Sequence, residues 1–446
     1  MRKNVDLLNG SIPIALTKLA LPIMATSFLQ MAYNLTDMIW IGRVGSDAVA
    51  AVGVASMFVW LSSGLVMIAR MGGQVKVAQS LGAGNTKEAA DFAKTAFQIA
   101  IFFGLLFGFG SFFLNGPFID FFGMENQDIV RDARYYLIIT GGLIIVNYIN
   151  QIFTATWTAL GNSGVTLLAT LVGLSINIVL DPILIFGLGP IPRLGVLGAA
   201  LATVLAQIIV CIVFVIVSTK EKTVFGAMLN FKRIDTYKVK CIVKIGLPAG
   251  VQSMLFTGIS MILARMITGF GDAAIAVQKV GTQIESISWM TAEGFGTAVN
   301  ALVAQNKGAS QEERVDKGYL SAMMIMGAWG LFTSLVLIVF PQQLFQIFIT
   351  ESELIPLGVD YLRILGISQL FMCLELATAG AFQGLGKSFP PSISGVILTG
   401  IRIPMAYFLC QTALGLNGIW WAITISTIMK GIVLPVWFYR ERHCKK

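Results

Sequence analysis

The chain has 446 residues, 56% hydrophobic and only 12% charged, with a formal net charge of +8. A soluble domain carries about twice that charged fraction. Apolar runs of 18 residues or more recur along the whole length, which excludes a soluble globular protein and points to a polytopic membrane protein. The positive balance reads as Lys and Arg gathered in cytoplasmic loops, not as a nucleic-acid surface. One histidine, His443, and five cysteines without paired spacing (Cys211, Cys241, Cys373, Cys410, Cys444) argue against a His-based metal site or a Ser-His-Asp triad within the membrane.

Along the chain, the opening MRKNVDLLNGSIPIALTKLALPIM lacks a small-residue cleavage site after a short apolar core, so the first apolar segment is expected to stay in the protein. Twelve apolar segments follow: 14–41, 48–72, 91–113, 133–155, 164–187 and 197–218, then 244–268, 273–303, 318–340, 357–381, 391–411 and 417–438. They predict an N-terminal lobe at 1–218, a basic cytoplasmic connector at 219–243 and a C-terminal lobe at 244–446. The connector and its border carry Lys220, Lys222, Lys232, Arg233, Lys238, Lys240 and Lys244 against only Glu221 and Asp235. The start MRKN and the tail YRERHCKK are also basic, whereas the alternate loops FGMENQDIVRDAR and ITESELIPLGVD are acidic or mixed. The positive-inside rule then puts the connector and both termini in the cytoplasm, which an even number of spans requires.

The chain repeats itself. Residues 19–45 match 245–271, 136–163 match 361–388, and 194–200 match 414–420. Each half has an even number of spans, so the halves keep one orientation. The expected fold is all-α, with twelve transmembrane helices in two six-helix lobes related by a pseudo-two-fold axis along the membrane normal. Such a pair encloses a cleft that opens to either side, a transporter architecture.

Charges inside spans cost a few kcal/mol or more and mark function by default. The candidates are Asp37, Asp181, Glu285, Glu293, Glu375, Arg265, Arg363 and Arg402. Gln30, Asn34 and Asp37 stand at i, i+4 and i+7 on one face of the first helix, with Tyr33 beside them. Asn177 and Asp181 stand at i and i+4 on the fifth, directly before Pro182, which removes a backbone donor and frees a carbonyl. Thr203 on the sixth adds a hydroxyl. Two carboxylates, an amide oxygen and a hydroxyl make a hard-cation shell, which places Na⁺ at Asp37, Asn177 and Asp181. A coupled acid pair equally holds a proton. The repeat supplies a control: Asp37 falls opposite Leu263, Asn177 opposite Arg402 and Asp181 opposite Ala406. The duplicated scaffold therefore does not require the acid pair. The plainer alternative is two acids neutralised by hydrogen bonds in a polar cavity. In the C-terminal half, Glu285 follows Gln278 and Gln283 and is expected to line the cleft and meet a cationic substrate. Glu293 and Glu375 are expected to pair with Arg402 or Arg363.

The opening LPIM with Q, YN, D, IG and AAVG spaced as in 21–53 resembles the multidrug and toxic compound extrusion (MATE) family. So do TALGNS (158–163), NIVLDPILIFG (177–187), LGVLGAALAT (194–203) and AFQGLGKS (381–388). The resemblance covers nearly the whole chain. It implies a secondary-active efflux pump, not an enzyme, exchanging amphipathic and often cationic drugs or toxic metabolites for Na⁺ or H⁺ by alternating access. It points to the DinF-type branch, whose acids match Asp37 and Asp181 and whose cation-site partners match Asn177 and Thr203. Gln30, Tyr33, Tyr136 and Gln151 match positions lining its N-lobe cavity, as Asn34 does by its place on the helix face. Pro22 matches a first-helix proline implicated in bending. Residues 245–268 hold no Asp or Glu, unlike the branch that couples through the seventh helix. The expected partners are small molecules and lipid in the cell membrane, with no nucleic acid, no cofactor beyond the coupling ion, and a monomeric chain. A lipid-linked precursor flippase or an exporter of one metabolite on the same scaffold is the rival reading.

Overall fold

A bilayer offers backbone N–H and C=O groups no partners, so apolar spans must be helices or closed barrels. In a computed structural model that describes residues 4–122, 124, 126–187, 192–226, 234–348 and 351–443, every regular element is a helix. Lys232 and Arg233 of the connector and Cys444 of the tail lie outside the described residues. The helices are α1 (Ile12–Gly42), α2 (Ser46–Gly82), α3 (Thr86–Phe113), α4 (Asn115–Asp120), α5 (Gln127–Gly142), α6 (Ile144–Ala159), α7 (Ser163–Phe186), α8 (Val196–Ser218) and α9 (Lys222–Phe225). They continue with α10 (Thr236–Thr268), α11 (Asp272–Gly308), α12 (Glu312–Val339), α13 (Pro341–Gln346), α14 (Ile355–Gly384), α15 (Phe389–Gly400), α16 (Arg402–Cys410) and α17 (Asn417–His443).

Among the described residues ten spans are long and apolar enough to cross a membrane, with Phe389–Cys410 as one of them, and α5 with α6, bent by 42°, makes an eleventh. The twelfth, α11, is 37 residues long but carries Gln278, Lys279, Gln283, Glu285 and Glu293, which lower its hydropathy. The chain is a multi-pass, all-helical membrane protein.

By internal contacts the chain falls into two units: residues up to Asp6 with Ala25–Gly250, and Leu7–Met24 with Val251 onward. The units therefore differ from the sequence halves by exchanging the opening turns of α1 and α10. Each exchange point lies two residues past a proline, Pro22 or Pro248.

In the first unit the core gathers Ile41, Ala51, Ala55, Tyr136, Leu137, Ala199 and Ala200. The opening of α10 lies backbone to backbone on α2. A Cβ added at Gly246 would strike the carbonyl of Ile68, and one at Gly72 the carbonyl of Ile242. Lys238 closes this packing with an ion pair to Asp91 at 2.6 Å. In the second unit the core gathers Leu263, Val277, Tyr361, Leu362, Ala406, Ile419 and Trp420. There the segment before α1 is held by α11 and α12. The Arg314 guanidinium donates to the carbonyls of Leu7, Asn9 and Gly10, and Asn306 donates to Leu7 at 3.0 Å.

The backbone carries the repeat. Gly161 and Gly386 both adopt φ +79, a left-handed conformation that glycine takes without a Cβ clash. After them Asn162 N–H donates to Trp157 and Lys387 N–H to Phe382, both at 2.9 Å, the wide turn that ends a helix. Gly84 at φ +74 has Ser310 at φ +57 as its counterpart, so one copy of that turn is built with a strained residue.

Candidate functional site

The first unit brings Asp37, Tyr33, Tyr136, Asn177, Asp181 and Thr203 into one cluster on α1, α5, α7 and α8. The helical repeat does this locally. Asn177 and Asp181 stand one turn apart on α7 and are both 0% exposed, and the Asn177 Nδ2 donates to Asp181 Oδ1 at 3.0 Å. Pro182 lies inside the same helix, where its missing N–H takes away the donor for the carbonyl one turn earlier. On α1, Asp37 and Tyr33 are half-buried while Gln30 and Asn34 are exposed. Thr203 and Tyr136 are buried on α8 and α5. Asp37 and Asp181 act on one another electrostatically, and Tyr33 and Tyr136 lie within reach of both acids and of Thr203.

The decisive feature is what these atoms leave open. Asp37 Oδ1, Asn177 Oδ1, Asp181 Oδ2, Thr203 Oγ1 and Tyr33 Oη are buried and have no hydrogen-bond partner. Buried polar atoms are almost always paired, so five unclaimed oxygens in one cluster fit a ligand that binds oxygen. The donor set is hard, with two carboxylates, an amide carbonyl and hydroxyls, which suits a small hard cation. A cluster of three or more His, Cys, Asp or Glu side chains is absent among the described residues. With one of the two acids protonated, the remaining carboxylate and the neutral oxygens balance a monovalent cation.

Gln151 stands in a hydrogen-bonded row with a cation. Arg70 donates to Gln151 Oε1, and Gln151 Nε2 donates to Asn147 Oδ1, both at 3.2 Å. Arg70, an in-span cation on α2, is missing from the sequence-based candidates although the same rule of in-span charge picks it out.

In the second unit Glu285 on α11 is half-buried. Gln369 donates to its Oε1 at 3.0 Å and Tyr361 to its Oε2 at 3.3 Å. The chain of contacts runs on from Tyr361 to Thr282 at 3.2 Å, from Thr282 to Gln278 at 3.2 Å and from Gln278 to Trp420 at 2.8 Å. Gln278, Thr282 and Glu285 repeat on α11 the i, i+4, i+7 stripe of α1.

The expected ion pairs are corrected. Glu375 pairs with Lys430 at 3.0 Å, not with Arg402 or Arg363. Glu293 is exposed and makes no ion pair among the described residues, and Arg363 is exposed. Arg402 instead donates to the hydroxyls of Ser426 at 2.5 Å and Thr427 at 2.9 Å. Lys430, in STIMKGIVLPVWF (426–438), is a second in-span cation that the sequence displays plainly.

Comparison with known proteins agrees with this architecture. The MatE family model matches the chain twice, at residues 22–183 and 248–408, once in each half. A probable multidrug resistance protein NorM of Thermotoga maritima is 27% identical over 432 residues, covering 95% of this chain and 91% of that protein. A FAD transporter of Shewanella oneidensis is 23% identical over 453 residues, covering 100% and 98%. The outward-facing structure of a multidrug resistance MATE family transporter superposes with a TM-score of 0.90 at 25% identity, covering 100% of this chain and 99% of that one. With both halves matched by the family model and the whole chain by transporters, this protein belongs to the MATE family of membrane transporters.

Proposed function

We propose that this chain is a secondary-active multidrug efflux transporter of the cell membrane, of the DinF-type branch, with both termini in the cytoplasm. It exports amphipathic, often cationic compounds in exchange for Na⁺ or H⁺. The observation that carries the reading is the set of unclaimed oxygens around Asp37, Asn177, Asp181 and Thr203. The multidrug relative from Thermotoga maritima supports the substrate class.

The site's own residues suggest the cycle. Empty, the cluster holds two mutually repelling acids in a low-dielectric interior, where such repulsion is strong. A cation or proton removes that repulsion and gives the unclaimed oxygens of α1, α7 and α8 a common partner. This draws the later part of α1, which carries Gln30, Tyr33 and Asn34, toward α7 and α8 and contracts the space beside it. Pro22 supplies the weak point in α1, since it leaves one carbonyl of the preceding turn without its helical donor. The ion drives export only through its unequal affinity for the two states. One cation moved across the membrane contributes about 2.3 kcal/mol per 100 mV.

Purified protein in liposomes tests this. An imposed Na⁺ or proton gradient is expected to drive movement of a tetraphenylphosphonium-type cation. If neither gradient moves it, the efflux reading fails.

A second reading, an exporter of one anionic metabolite, draws on the buried Arg402 and Lys430 of the second unit and on the FAD-transporting relative.

A further inference from the structure

The repeat sets the two units side by side for comparison. In the first unit the inward positions of the first and fifth spans hold Asp37, Asn177 and Asp181. Their counterparts in the second unit are Leu263, Arg402 and Ala406. Leu263 and Ala406 are buried in an apolar core cluster. The place of the two acids has therefore become hydrocarbon, and the place of the amide has become a guanidinium. The hydroxyl and phenol beside them are kept. Ser56 with Tyr136 in the first unit corresponds to Thr282 with Tyr361 in the second, and each phenol meets its hydroxyl partner. The second unit thus keeps the frame of the cation cluster and puts apolar side chains and a guanidinium where its acids and amide stand.

We propose that Arg402 is the centre of a site in the second unit that binds the anionic group of a transported compound, a carboxylate or a phosphate. Four observations converge on it. Arg402 is 7% exposed, and burying a guanidinium is costly unless it meets an anion or a full set of acceptors. Its hydrogen bonds go only to two neutral hydroxyls, Ser426 and Thr427, and among the described residues no carboxylate lies within ion-pair distance. A guanidinium has five N–H donors; Nε and Nη2 give one each to these hydroxyls, which leaves further N–H donors for a carboxylate or phosphate oxygen.

The two neighbouring acids are engaged elsewhere. Glu375 is held by Lys430, and Glu285 accepts from Gln369 and Tyr361. Both nevertheless lie within electrostatic reach of Arg402. Glu285, Glu375, Arg402 and Lys430 sum to zero formal charge, so the site tolerates burial when empty while its guanidinium stays available. Finally, the stripe leading to it is not sealed: Gln278 and Glu285 are half-buried and Thr282 is exposed. A compound with an acid group would lay its acid on Arg402.

This proposal rests on the drug-efflux reading and narrows it, so the test separates the two. The probes are a cationic rhodamine ethyl ester and the same rhodamine as its free acid, which differ only in the carboxylate. Fluorescence polarisation with the purified full-length protein measures both affinities. The wild type is expected to bind the acid at least as tightly as the ester. Arg402→Gln is expected to weaken the acid about tenfold or more and the ester less than twofold, with Arg402→Lys losing less than Arg402→Gln. A wild type that binds the ester but binds the acid more than tenfold more weakly overturns the proposal and leaves the efflux reading intact, and this needs no variant to fold. Equal losses of both probes in Arg402→Gln also overturn it. Binding of neither probe to the wild type removes both readings.

Discussion

Asp37 and Asp181 are separated by a long stretch of chain, yet they lie within electrostatic reach of one another in a cluster with five buried oxygens, their own included, that have no partner. A buried acceptor without a donor is destabilising by about 1–3 kcal/mol, so a bound cation or proton would offset a cost that the empty cluster carries. Asp37→Asn and Asp181→Asn are each expected to cut ion-driven efflux by more than about tenfold, while the protein still inserts and purifies. Full transport by both variants would remove this assignment. Because the ligand binds the folded state, it stabilises by mass action. If Na⁺ is the ligand, its addition is expected to raise the thermal midpoint of the wild type and leave that of Asp181→Asn unmoved. Glu375 and Lys430 give a prediction of the opposite kind. Their side chains are 11% and 10% exposed and lie 3.0 Å apart. Removing one partner of a buried pair costs about 3–5 kcal/mol, whereas replacing both by apolar side chains is often neutral. Glu375→Gln is therefore expected to melt well below the wild type, and the double variant Glu375→Met/Lys430→Met close to it. Equal melting of all three would mean that the pair contributes nothing.

At the scale of the element, the turns report the duplication most directly. Gly84 and Ser310 hold equivalent left-handed positions after α2 and α11, at φ +74 and +57. A side chain there costs roughly 1–2 kcal/mol, offset in part by the larger chain entropy that glycine loses. Ser310→Gly is expected to raise the thermal midpoint by about 1 °C, and Ser310→Ala is not. A lower midpoint for Ser310→Gly would show that the serine hydroxyl contributes more than its strain removes. The contact of α10 with α2 is decided by the missing Cβ at Gly72 and Gly246. Gly246→Leu forces the helices apart, and a strong fall in folded yield is its expected outcome. Packing of this kind substitutes for the hydrophobic effect, which is weak between helices in lipid.

For the whole molecule, the transport cycle is the measurable property. Efflux of a tetraphenylphosphonium-type cation at fixed pH is expected to rise with an inward Na⁺ gradient if the oxygen cluster takes Na⁺. It is expected to follow an inward proton gradient alone if the cluster takes a proton. In either case Glu285→Gln is expected to keep part of the activity, because Glu285 is absent from the oxygen cluster of the first unit. Loss of all transport in Glu285→Gln, with Asp37→Asn still active, would move the coupling to the second unit.

The membrane-spanning character, the twelve segments and the duplication were legible in the amino-acid sequence, as were Asp37, Asn177 and Asp181 as candidates. Each of these follows from one-dimensional properties: the length of apolar runs, the spacing of polar residues on a helix, and the matching of one half to the other. Arg70 and Lys430 were visible there too, since they interrupt apolar runs as openly as Asp37 does. What only the tertiary structure decided was partnership. Glu375 was expected beside Arg402 or Arg363 but meets Lys430. Gln151 turned out to hold Arg70. The opening turns of α1 and α10 belong to units other than the rest of their helices. These outcomes depend on how helices rotate and approach, which close glycine contacts and hydrogen-bond geometry set in three dimensions. Asp37 shows the division most simply. Its cost was legible in the apolar run around it, whereas its neighbours, Asp181 and Tyr136, come from helices far along the chain.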